Sequence, residues 1–183
     1  MSAEKPEILS NQLVAQSRLF KVEQLELRFS NGERRTYERM RGGSSGAVMV
    51  VPMIDAEHML LVREYAAGTH SYELGFPKGL IDPGEVAADA ANRELQEEIG
   101  YGARTLQPLQ QVALAPSYFS SKMDIFLAQD LYPSRLQGDE PEPLEVVKWP
   151  IADIDGLLAQ SDFSESRSIT ALFLARKRLK LDR

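Results

Sequence analysis

GLIDPGEVAADAANRELQEEIGY, Gly79 to Tyr101, is the stretch around which the rest of the chain is arranged. Its opening Gly, Asp and Pro residues write a turn, and from about Glu85 the spacing predicts one amphipathic helix. Glu94, Glu97 and Glu98 stand at i, i+3 and i+4, so all three share one helix face. Ala87 and Ala90 fall on or beside that acidic face, while Leu95, Ile99, Ala88 and Ala91 form an adjoining apolar stripe able to pack on a sheet. Small residues beside clustered carboxylates leave room for a ligand, and hard divalent cations with oxygen ligands suit such a cluster. A solvated acidic helix is the plainer reading of three glutamates taken alone.

Working outward, Ala47 to Met53 (AVMVVPM) is apolar enough for a central strand, and His58 to Tyr65 (HMLLVREY) reads as its antiparallel partner. Ser71 to Leu74 predicts a short strand feeding the turn. Gly42, Gly43 and Gly46 in RGGSSG make a flexible link, since the phosphate-cradling pattern G-x-x-x-x-G-K-[ST] is absent. Before that link, Arg18 to Arg28 (RLFKVEQLELR) alternates, with Leu19, Val22, Leu25 and Leu27 available to a buried face. Asn31-Gly32 signals a hairpin, and Glu33 to Arg41 is the returning strand. The first 15 or so residues carry little pattern and predict an irregular arm. Beyond the helix, Gln110 to Leu114 and Lys122 to Ala128 are strand-like, separated by a loop from Pro116 to Ser121. DEPEPL, Asp139 to Leu144, is an acidic loop broken by proline, and Glu145 to Trp149 follows as a strand ended by Pro150. Ala152 to Gln160 predicts a helix. Ser164 to Leu181 predicts another, with Ile169, Leu172, Phe173 and Leu179 apolar and a basic end that suits the C-terminal pole of the helix dipole. Short strands among a few helices predict an α+β fold, with the loop-helix element laid on a mixed sheet.

Composition narrows the function. A chain of 183 residues can bury a substantial core and favours one main domain. Lys and Arg number 21 against 27 Asp and Glu, a net charge of −6, which argues against coating nucleic acid or an anionic membrane. Small phosphate-bearing substrates stay open, because a bound cation supplies local positive charge that the net count misses. With no cysteine, disulfides and thiolate chemistry are excluded. MSAEKPEILSNQL lacks a basic segment followed by an apolar one, and no run of 18 or more apolar residues occurs, so the expectation is a cytoplasmic protein that does not enter a membrane.

The quoted stretch also resembles the signature of the Nudix hydrolases, G-x5-E-x7-R-E-U-x-E-E-x-G-U, with U a bulky apolar residue. Gly79, Glu85, Arg93, Glu94, Leu95, Glu97, Glu98 and Gly100 stand at every required spacing, and only the last position, Tyr101, departs by being aromatic. So many fixed positions over so short a span make this a specific match. The residues make physical sense beside it. Arg93 and Glu97 form an i, i+4 pair, so Arg93 can hold one carboxylate and relieve repulsion among the acids. Gly100 suits a helix C-terminal cap.

The resemblance implies a Nudix fold, an α/β/α sandwich with a mixed sheet and an N-terminal β-hairpin. Residues 1–42 would form the arm and hairpin, serving dimerisation, and residues 43–183 the hydrolase domain. It further implies Mg²⁺, with Mn²⁺ able to substitute. Glu94 and Glu98 would be the principal ligands, Glu97 would assist, the carbonyl of Lys78 would contribute, and Glu85 would meet the loop and a metal-bound water. With a cation, the charge among these glutamates is neutralised and phosphate oxygens are polarised.

The likeness extends outside the signature, through SNGERRTYERMR, REYAAGTHSYELGFPKGLIDPGE, APSYFSSKMDI and GDEPEPL, to the members that hydrolyse ADP compounds. It implies cleavage of the pyrophosphate bond in ADP-ribose, NADH or diadenosine polyphosphates, by a homodimer, with AMP as one product. Pro116, 15 residues after Tyr101, matches a proline of the ADP-ribose pyrophosphatase-like members. The pattern before the late strand points to Glu142, with Glu140 as the alternative, as acceptor of the proton from the attacking water. Tyr37 takes the place of an aromatic that stacks on adenine, and Arg39, Arg41 and Arg63 are the candidate phosphate contacts. Ala66 stands where relatives carry an arginine, and Glu73 to Gly79 is longer than the usual E-x-P-A-G, which leaves the leaving half of the substrate open. Two rival readings are removal of a 5′ NAD cap from RNA and a nucleotide-binding sensor of the same fold without turnover.

Overall fold

Two strongly apolar segments set the architecture. The structure, a computed structural model, describes residues 4–43 and 45–181. Ala47–Pro52 forms β4, buried along its whole length, and His58–Ala66 forms β5, buried from Met59 to Val62. A strand that is apolar on both faces must be covered on both faces, and the two do so in different sheets. β4 lies between β7 (Lys78–Leu80), antiparallel, and β9 (Lys122–Pro133), parallel, with β8 (Tyr101–Ala113) beyond β9. β5 lies between β6 (Ser71–Gly75) and β10 (Glu145–Pro150), both antiparallel. The expected β4–β5 pairing is therefore corrected to a single bridge, Met53 with Met59. The intervening turn explains it: Asp55 Oδ1 accepts the amides of Glu57 and His58 at 2.9 and 2.7 Å, turning the chain after one bridge and sending β5 into the second sheet.

The signature helix covers the first face of β4. It begins as α1 (Ala87–Glu94) and continues as a π turn, Leu95–Ile99. Its start falls later than Glu85 because Gly84, at φ 86°, and reciprocal bonds between Asp82 and Glu85 keep that segment in a turn. Ala90, Ala91, Leu95 and Ile99 meet Val48 and Val50 of β4, Leu60 and Val62 of β5, and Phe126 and Ala128 of β9 in one buried cluster. Burying each large aliphatic side chain contributes about 1.5–3 kcal/mol. Alternation leaves Met49 and Val51 to the opposite face of β4, and α3 (Ser166–Arg178) packs on β4 as well through a buried face that includes Ala171, Leu172 and Ala175. Phe173, expected in that apolar stripe, is exposed. A short α2 (Ile154–Leu158), capped by Asp153, completes the α/β/α sandwich around a mixed sheet.

The chain divides into two compact units, residues 4–43 with 113–122, and residues 45–112 with 123–181. The first is a three-stranded antiparallel sheet, β1 (Glu7–Gln16), β2 (Lys21–Arg28) and β3 (Arg34–Met40). The expected irregular arm is thus a strand. Its register slips between Ile8 and Ser10 and again between Leu13 and Ala15, which erases the alternation a strand normally shows in sequence. Asn31-Gly32 does turn the β2–β3 hairpin, within a loop from Phe29 to Glu33 where the Asn31 side chain accepts the Glu33 amide. Leu25 is buried on β2, whereas Leu19 is exposed. Gly42 is held rather than loose: its N–H donates to Ser120 Oγ, and a side chain there would come within 2.9 Å of the Ser121 backbone.

Candidate active site

Arg93 is the hub. Leaving α1 toward the turn, its Nε and Nη2 donate to the two oxygens of Glu85 at 3.0 Å each, and Nη2 also donates to the Leu80 carbonyl at 2.9 Å. Nη1 divides itself between Glu94 at 2.7 Å and Glu97 at 3.0 Å. The Arg93–Glu97 pair is the one that i, i+4 spacing suggests. The Glu85 and Glu94 contacts are additions; the first was hard to see because eight residues would be out of reach had Glu85 stood on the helix. The Arg93 bonds hold Glu85 below the usual carboxylate range against the opposing effect of burial. Glu94 is pushed up, because burial outweighs its pairing with Arg93. Gly79 on β7 has no room for a side chain: a Cβ would fall inside the Glu94 carboxylate.

Glu98 is set differently by the π turn. The wider turn closes on Gly100, left-handed at φ 74°, whose N–H reaches back to the Leu95 carbonyl. Such turns interrupt α-helices often at functional sites. Glu98 is only 4% exposed. One oxygen accepts the Lys78 amide at 3.2 Å, and the other is buried with no hydrogen-bond partner. Burial pushes its carboxyl up to about 9, with nearby Lys78 opposing and Glu94 and Glu64 adding. The Lys78 ammonium is paired with Glu64 of β5, two side chains that the sequence did not single out.

These groups line a cavity of about 720 Å³, walled by Glu64, Lys78, Arg93, Glu94, Glu97 and Glu98 together with the 137–140 loop, Glu140 included. The Glu140 charge acts on Glu94. Glu142 lies outside the lining, where it accepts the hydroxyl of Tyr72. Arg63 is tied to Glu145 and Asp162 and does not line the cavity. In the first unit, Tyr37 on β3 is 46% exposed, its ring 6.4 Å from Phe29. Arg39 and Arg41 converge there on the buried Glu23, at 2.9 and 3.6 Å, and Pro116 sits in an exposed turn closed by the Tyr118 amide on the Ala115 carbonyl.

Among the described residues, no three acidic or imidazole groups converge closely enough to form a finished metal cage. Arg93 bridges Glu94 and Glu97, and Glu98 turns to the Lys78 amide. The donor set nonetheless fits a hard divalent cation. It consists of carboxylate oxygens, and one, on Glu98, is buried without any partner. An orphaned buried acceptor is costly unless a ligand completes it.

Comparison with known proteins decides the family. Residues 44–173 match the NUDIX domain, and residues 6–39 match the N-terminal domain of NudE-type Nudix hydrolases. The chain belongs to the Nudix hydrolases. Among Nudix relatives, it is 60% identical over 179 residues to the ADP compounds hydrolase NudE of Escherichia coli K12, covering 98% of this chain and 96% of that protein. It is 28% identical to the ADP-sugar pyrophosphatase of Mus musculus, over 93% of this chain and 87% of the relative. A crystal structure of an ADP compounds hydrolase superposes with a TM-score of 0.92 at 59% identity, covering 98% of this chain and 97% of that one.

Proposed function

We propose that this Nudix hydrolase cleaves the pyrophosphate bond of ADP-linked compounds, ADP-ribose, NADH and diadenosine polyphosphates among them, giving AMP and the phosphate of the other half. The observation that carries the reading is one cavity gathering Glu94, Glu97, Glu98 and Glu140 around Arg93. The choice of ADP compounds is supported by the NudE relative of Escherichia coli, 60% identical over 98% of this chain.

Glu94, Glu97 and Glu98, with the Lys78 carbonyl, would hold Mg²⁺, or Mn²⁺ in its place. When bound, the cation neutralises the diphosphate and makes its phosphorus a better electrophile. The protein's own part is positioning. Arg93 fixes Glu85, Glu94 and Glu97 in one array, and Gly79 lets that array approach β7. A carboxylate must take the proton of the attacking water, and Glu140 is the loop acid that lines the cavity. Glu142, engaged by Tyr72, would serve the same loop from outside. Tyr37 is proposed to stack on adenine, with Pro116 as a further substrate contact. Arg39, Arg41 and Arg63 are weaker candidates, each already paired with acids. A homodimer is supported by exposed apolar side chains on the N-terminal unit, Ile8, Leu13, Val14, Leu19 and Phe20. Among the described residues no helix is long and apolar enough to cross a membrane, and we assign the enzyme to the cytoplasm.

The test is a substrate panel with Mg²⁺, read by AMP release and by the mass of the second product. AMP with ribose 5-phosphate from ADP-ribose is expected. Nucleotide binding without AMP from any of the three substrates would overturn the assignment.

A further inference from the structure

A second cavity, of about 470 Å³, shares Glu64 and Lys78 with the catalytic one. Its other walls bring together two carboxylates, Glu73 and Glu165, with hydroxyls, a guanidinium and an aromatic ring. Glu73 on β6 accepts from Ser71 at 2.7 Å through one oxygen and from Ser164 at 3.4 Å through the other, with the Thr69 hydroxyl acting on it as well, which leaves the carboxylate acceptor capacity for a ligand. Thr69 lines the same space. Arg167, in the first turn of α3, engages Glu165 through Nε. Among the described residues its two Nη groups make no other bond, which leaves planar donors at the cavity wall. Tyr65 is braced, its hydroxyl 2.8 Å from His70 Nδ1 and its ring edge-on to Tyr72 at 5.8 Å. Gly75 opens the junction with α3, since a side chain there would meet Ser168 Oγ at 3.0 Å.

Carboxylates with spare acceptor capacity beside hydroxyl and guanidinium donors are the chemistry that holds a vicinal diol. The lining offers no pair of parallel aromatic faces between which a purine would be sandwiched. The shared wall is decisive for what could lie there. A molecule reaching from one cavity to the other passes Lys78, a cation suited to a diphosphate, and carries its hydroxylated end past Glu64 toward Glu73. We infer that the second cavity receives the sugar of the half that leaves with the distal phosphate, so that Glu73, Thr69 and Arg167 determine which ADP compounds are used. The inference rests on the proposed pyrophosphatase activity and adds a specificity site to it.

The experiment compares ADP-ribose with the β-methyl ester of ADP, which keeps the diphosphate and adenylate but lacks the sugar. In Glu73→Gln, kcat/KM for ADP-ribose should fall at least about tenfold, because an amide donor replaces one carboxylate oxygen and the charged acceptor for the sugar hydroxyls is lost, while the methyl ester loses less than about threefold. Thr69→Val, a change of similar volume, should show the same selectivity to a smaller degree, and so protects the test should Glu73→Gln fold poorly. Equal losses on both substrates, or no loss on either, in a variant that melts like the wild type would overturn the inference. A wild-type protein that releases AMP from neither substrate would instead overturn the activity on which it rests.

Discussion

The ligand role proposed for Glu98 conflicts with its burial. To hold a cation it would have to be ionised, yet the fold buries it and raises its carboxyl from the usual 4.5 to about 9. The folded, metal-free protein therefore holds a proton that the unfolded chain gives up above about pH 4.5. Stability from this group is complete below that pH, declines as pH rises, and is gone near the folded value. Chelated protein should melt at a lower temperature at about pH 8.5 than at about pH 6, and Glu98→Gln should flatten that slope; a wild-type melting point that rises over this window would contradict the account. Gly79 supplies a separate test. In Gly79→Ala the new methyl group displaces the end of a flexible side chain, Glu94, and not backbone. AMP release should drop at least about tenfold, with the melting temperature shifting only a few degrees, since the harm is to positioning; unchanged turnover would refute it. The acidic cluster itself was legible because i, i+3 and i+4 spacing needs only a helix. The reach of Arg93 to Glu85 was not, since it depends on a turn that only the folded loop defines.

The signature helix and α3 show why helices were easier to read than strands. Helical spacing is local, so Ala87–Ile99 and Ser166–Arg178 could be placed to within a turn or so. What spacing could not show was the π turn, which carries Glu98 to the Lys78 amide and ends on Gly100 at φ 74°. Gly100→Ala should cost about 1 kcal/mol from the left-handed backbone alone, read as an earlier urea midpoint; no shift would mean the turn relaxes freely. At α3, Glu165 caps the first turn by accepting the Ser168 amide at 2.8 Å. Burial opposes its ionisation, but the bonds from Arg167 and Ser168 prevail and hold its carboxyl low. Glu165→Ala should destabilise by about 1 kcal/mol, lowering the melting temperature by roughly 2–4 °C for a chain of this size. Strand partners were hidden for the opposite reason. Continuous apolar runs such as β4 and β5 mark burial on both faces but not which neighbour covers them.

The two sheets and their flanking helices place Glu94, Glu97, Glu98, Lys78 and the 137–140 loop around one cavity, although they come from segments far apart in the chain. That gathering was legible only through the likeness to a family, because no periodicity records which loop faces which helix. The N-terminal sheet, with its exposed apolar side chains, should bring two copies together. Sedimentation at micromolar concentration should give about twice the mass of the 20.5 kDa chain, and a monomer would remove the hairpin's proposed role. The claim on which everything else depends is that Glu98 and its neighbours cut a pyrophosphate bond. The direct measurement is AMP release from ADP-ribose with Mg²⁺ by the wild type and by Glu98→Gln side by side. The wild type should release AMP and ribose 5-phosphate in equal amounts while Glu98→Gln is slower by at least about two orders of magnitude; a variant within a few-fold of the wild type, or no AMP from either, would contradict the account.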